Sequence, residues 1–195
     1  MEKNLATFTA WIRYKQVNYY LRLHQKQNGQ NIKLLKNLRT INWNLVLIMF
    51  VSTFGFIILA TFRSTESLIM TIIHSLGATT GITCESIYMI GTVYICWQLY
   101  NVYNVESLPI TLIVITIIKN ITVLIFLLNF LFVWFLVGNN FIDPSFRARW
   151  PNDETRKYFL ITTISETLLL SISSIEWLSL SNRIRKFKDW DQIRF

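Results

Sequence analysis

Charge is what this sequence has least of. Only 15% of its 195 residues are Asp, Glu, Lys or Arg, where a soluble domain carries about 25%. That deficit counts against an ordinary water-exposed globule. Glycine and proline are also few, six and three, which excludes low-complexity disorder and a β-rich domain built on many tight turns. There are two cysteines, Cys84 and Cys96, and two histidines, His24 and His74. On one helix the cysteines would stand ~18 Å apart, beyond the reach of a disulfide. No His-Glu-x-x-His spacing and no glycine-rich phosphate loop occurs. Nor is there a nucleophile, base and orienting group at any recognisable spacing. The expectation is a chain that is not an enzyme, with no metal and no cofactor.

What is present is apolar: 52% of residues are hydrophobic, 15% are aromatic, and the mean hydropathy is +0.38. These residues fall in four runs, at about 44–63, 72–100, 112–138 and 158–180. Each supplies the ~20 residues with which a helix crosses the hydrocarbon of a bilayer. The runs are continuous rather than alternating, so helices fit better than barrel strands. The expected fold class is all-α: a polytopic transmembrane helix bundle of four full spans within one membrane domain, 1–195. A short apolar stretch, Asn4 to Tyr14, is too short to span and lacks a signal-peptide layout. It reads as the end of a truncated earlier helix. Two charges inside the runs are assigned to membrane boundaries. Lys119 is expected at the headgroups or snorkelling to them, and Glu176, beside Trp177, at an interface.

The charges of the whole chain are uneven, 19 Lys and Arg against 11 Asp and Glu, for a net +8. Segment 13–43 carries seven cations and no acid, and the tail 183–195 carries five cations and two Asp. Four spans place both on one side, and the positive-inside bias makes that side cytosolic. These basic segments enforce topology. They also suit contact with anionic lipid, through Lys33, Lys36, Arg39, Arg183, Arg185, Lys186 and Lys188, at ~1 kcal/mol each near a charged surface. Nucleic acid is attracted by the same composition, but a chain tethered by spans meets lipid first, so membrane lipids are the expected partner and nucleic acid is not.

Within the second run, His74, Gly77, Gly81, Glu85 and Tyr88 recur at three- and four-residue steps and so share a helix face. One reading is a packing face, since Gly77 and Gly81 form a small-xxx-small pair. The other is a polar crevice for a lipid headgroup or small ligand, since ionisable groups inside a membrane carry function. Glu85 falls near mid-membrane and must be protonated or paired. Glu166 enters the last run from the side on which His74 enters its own, so the two are candidates to meet.

The stretches His74-Ser75-Leu76-Gly77-Ala78 and Cys84-Glu85-Ser86-Ile87-Tyr88 resemble the fourth helix of the DRAM proteins, the DNA-damage-regulated autophagy modulators. These belong with the FRAG, SFK and CWH-type N-terminal membrane domains. Ala10-Trp11-Ile12-Arg13-Tyr14-Lys15 is similar to the family's second helix running into a basic cytosolic loop. Trp150-Pro151-Asn152 with Tyr158, and Ile164-Ser165-Glu166, resemble the luminal loop and acidic site of its last helix. Glu85 stands where the family commonly has glycine. The resemblance covers roughly 5–188 and implies a six-helix architecture of which the first helix and most of the second are absent. It further implies lysosomal or related endomembrane location, with Golgi or plasma membrane as alternatives. The implied role is promotion of autophagy, and through it cell death, with partners in the autophagy machinery and no enzymatic reaction. The SFK and CWH relatives imply a lipid-handling role instead: phosphoinositide-kinase recruitment or lipid-anchor remodelling. A small-solute transporter is the third reading.

Overall fold

A computed structural model describes residues 2–28, 32–62, 68–137 and 153–193. The order is α1 (Glu2–Asn28), α2 (Ile32–Thr61), α3 (Leu68–Asn101), α4 (Ile110–Val137) and α5 (Asp153–Arg185), followed by a 3-10 turn at Trp190–Gln192. The described residues contain no strand. Pro109 immediately precedes α4, where a missing N–H costs nothing.

The helices overrun the apolar runs. The basic segment 13–43 is not a loop after a helix end. α1 continues through Arg13 to Asn28, and Ile32 to Trp43 is the first part of α2. α4 passes through Lys119 without a break. The connections expected on the non-cytosolic side, at 62–71 and 139–157, lie largely outside the described residues, as does Trp150-Pro151-Asn152. Two helical segments, Lys33–Thr61 and Ile110–Phe132, are long and apolar enough to cross a membrane. α3 and α5 have the length, at 34 and 33 residues, but more polar side chains.

The α2–α3 hairpin is closed by glycine. A Cβ on Gly55 would stand 2.6 Å from the Gly81 nitrogen, and one on Gly77 would stand 2.8 Å from the Leu59 nitrogen. The two backbones therefore touch, and Ser52 Oγ donates to the Gly81 carbonyl at 2.7 Å. α1 lies along α2, tied by Asn42 Nδ2 to the Tyr14 carbonyl at 3.1 Å and by a Thr7–Thr53 hydroxyl contact at 2.7 Å. α4 packs against α5 and α3. One buried cluster joins Val17, Leu21, Leu38, Met89, Leu99 and Leu180. A second joins Phe56, Ile82, Val123, Phe126 and Leu169.

The outer surface is also apolar. Phe54, Leu76, Leu124, Leu128 and Leu178 are each more than half exposed. On α5, Ile161, Ile164, Leu168, Ile175 and Leu178 all face outward, at the three-, four- and seven-residue steps of a single stripe.

Candidate functional site

Three helices bring ionisable groups to one interior point. Thr116 and Lys119 are one turn apart on α4. Ser173, Glu176 and Trp177 share a face of α5 by the same spacing. α3 contributes Glu85, with Tyr88 one turn on. Lys119 Nζ donates to Glu176 Oε2 at 2.8 Å and lies 3.3 Å from Glu85 Oε1. Thr116 Oγ1 donates to Glu176 Oε1 at 2.7 Å. Glu85 accepts from Trp177 Nε1 at 2.8 Å and from Ser173 Oγ at 3.2 Å. The Trp177 ring stacks on Tyr88 with centroids 5.5 Å apart. The side-chain exposures are 1% for Lys119, 0% for Glu176 and 5% for Glu85.

Lys119 is thus buried among the helices rather than snorkelling outward, and Glu176 lies inside the bundle rather than on its surface. Read by its own segment, each charge falls near an end of its apolar run. The helices extend past those ends, and the pairing of α4 with α5 turns both charges inward, where each partner offsets the other's loss of water. The signal that finds them is complementary sign: Lys119 in one apolar run, Glu85 and Glu176 in two others.

The shared face of α3 divides in two. Gly77 and Gly81 are buried against α2, in the packing role. Each four-residue step turns ~40° around a helix, so Glu85 is carried ~80° from Gly77 and meets α4 and α5 instead. His74 Nδ1 sits 2.7 Å from the Phe62 carbonyl oxygen. Glu166 is half-buried on α5, and no ion pair joins it to His74 among the described residues.

A second buried ion pair, which the sequence reading did not anticipate, lies where α1, α5 and the α3–α4 connection converge. Asn104 adopts a left-handed conformation, φ 54°, which asparagine tolerates better than most residues. It closes the end of α3, with the Val105 N–H reaching the Leu99 carbonyl at 3.2 Å. The turn delivers Glu106 to Arg13, which donates to both carboxylate oxygens at 2.5 and 2.9 Å, and also to Gln16 and to Cys96 Sγ. Burial pushes the Glu106 carboxyl up, but the Arg13 guanidinium, with help from Arg183, outweighs this and holds it below the usual carboxylate range.

Arg183 is half-buried and donates to the Ser107 carbonyl, so it serves the fold before any lipid. Lys33, Lys36, Arg39, Arg185, Lys186 and Lys188 are exposed, and Arg39 touches Gln25 at 3.3 Å. A groove of about 260 Å³ opens between Tyr20, Glu106, Arg183 and Lys186. Among the described residues, no group of three or more His, Cys, Asp or Glu is placed to hold a metal ion. Cys84 and Cys96 are free thiols. No family profile, curated protein or solved structure matches the chain.

Proposed function

We propose that the chain is a multi-pass membrane protein, with α2 to α5 as its four spans, that acts without catalysis as a regulator of autophagy or lysosomal function. One observation carries the membrane reading: polarity is inverted. Lys119, Glu176 and Glu85 are sealed inside, while leucine, isoleucine and phenylalanine cover the outside of α2, α4 and α5. In water that surface would be a large aggregation-prone patch. In lipid it is the ordinary exterior, and paired charges facing the bundle interior are the form in which such groups persist there. The exposed cations Lys33, Lys36 and Arg39, with Arg185, Lys186 and Lys188 of the tail, then face the cytosol. The regulatory reading rests on the DRAM-like stretches 74–78, 84–88 and 164–166, and its partners are membrane lipids and proteins of the autophagy machinery.

The experiment is expression of the full chain in cells. Expected are resistance to alkaline carbonate extraction, coincidence with a lysosomal marker, and altered autophagosome turnover on depletion. Release into the soluble fraction would end the membrane reading. The groove beside the exposed Lys186 favours one second reading, lipid handling. Plasma-membrane or Golgi residence with a changed phosphoinositide level would establish it in place of the first.

A further inference from the structure

We propose that Glu85, Lys119 and Glu176 form a proton-binding site, in which the two carboxyls hold one proton between them while α3, α4 and α5 are closed. The argument is a count of charges. α3 presents Glu85 and the phenol of Tyr88. α4 presents Lys119, and α5 presents Glu176 beside Trp177. α2, behind α3, has no ionisable residue between Ile41 and Thr61, and Arg13 on α1 is engaged by Glu106. One ammonium thus faces two carboxylates at near-zero exposure. A buried charge without a partner is neutralised rather than tolerated.

The hydrogen bonds are arranged for it. Each carboxyl turns one oxygen to the ammonium and the other to a hydroxyl: Glu85 Oε2 to Ser173, and Glu176 Oε1 to Thr116. A hydroxyl donates to a carboxylate and accepts from a carboxylic acid equally well, so either glutamate can carry the proton without moving. The proton belongs to the pair. Its release leaves an excess negative charge between three helices, which ties proton occupancy to their closure. The inference stands on burial and charge alone, not on the autophagy reading.

Infrared spectroscopy of the purified full chain in detergent tests it. The carbonyl stretch of a protonated carboxyl is expected at neutral pH, moved by carbon-13 labelling of glutamate and slow to respond to deuterium oxide. Glu85→Gln and Glu176→Gln each leave one carboxylate opposite Lys119, so both are expected to fold and both to lose the band. Wild-type protein without the band overturns the proposal, whatever the variants do. A band surviving in both folded variants also overturns it, because the proton then belongs elsewhere. A wild-type band abolished by sodium or potassium replaces the proton site with a metal-cation site.

Discussion

Replacing Lys119 with methionine keeps the apolar stem of the side chain and removes its ammonium, and with it both the charge and the N–H donors. Glu176 and Glu85 would then face each other at 0% and 5% side-chain exposure with no cation between them. Their remaining donors would be Thr116, Ser173 and Trp177. Removing one partner of a buried ion pair costs about 3–5 kcal/mol. For a chain of this size 1 kcal/mol shifts the melting temperature by ~2–4 °C, so Lys119→Met is expected to melt about 6–20 °C below wild type. Thermal unfolding of the purified protein in one fixed detergent reads this directly. The charge argument makes a second demand. Adding Glu85→Gln and Glu176→Gln to Lys119→Met removes both ionisable carboxyls and should recover most of the loss, since a neutral, packed replacement of a buried ion pair is often no worse than the pair. A single variant melting within ~2–4 °C of wild type, the worth of 1 kcal/mol, would refute the reasoning. So would a triple variant no better than the single one.

Three further outcomes are expected. Trp177→Phe keeps the ring against Tyr88 but loses the Nε1–H bond to Glu85; a hydrogen bond to a charged group is worth ~1.5–3 kcal/mol, and chemical denaturation should show a loss of that order. Gly55→Ala puts a methyl 2.6 Å from the Gly81 nitrogen, where backbone cannot yield as a side chain would, so a loss of ~1–3 kcal/mol is expected by the same assay, and a neutral result would mean the hairpin is looser than its geometry. Glu106 is held below its ordinary pKa in the fold. Its stabilising contribution is therefore complete above the unfolded-state value and is lost as pH falls through the depressed folded one. The acid limb of the wild-type stability profile should accordingly be steeper than that of Glu106→Gln, and parallel limbs would remove Glu106 from the account.

The helical outline was legible because long apolar runs with few glycines and no internal proline leave the backbone no alternative. The glycine contact was legible too, from Gly77 and Gly81 at a four-residue spacing. The ion triad was not. Depth along one segment says how far a charge lies from the end of its own helix, and on that measure Lys119 and Glu176 fall at boundaries. Whether they meet depends on the register and rotation of α4 against α5, which no single periodicity contains. α1 was underestimated for a related reason. Its apolar positions are diluted by cations and amides, so hydropathy stops at Tyr14, while Arg13, Gln16 and Asn42 supply polar partners that let the helix run on to Asn28. Glu106 was missed because its role depends on the left-handed turn at Asn104, and asparagine in a loop does not announce that conformation.

The glycine contact between α2 and α3 bears on how the molecule can move. Where two helices are separated by side chains, they slide or rotate as those side chains exchange rotamers. At Gly55, Gly77 and Gly81 there is nothing to exchange, because backbone meets backbone. The hairpin is a single stiff lever. Rearrangement must then fall on the seam between that lever and the α4–α5 pair, where Phe56 and Ile82 meet Val123, Phe126 and Leu169 through exchangeable side chains and Glu85 makes polar contacts to Lys119, Ser173 and Trp177. The backbone contact at Gly81 and the polar contacts of Glu85 thus sit one helical turn apart on the same helix, so a change in the charge of Glu85 bears on a rigid two-helix unit rather than on a single helix.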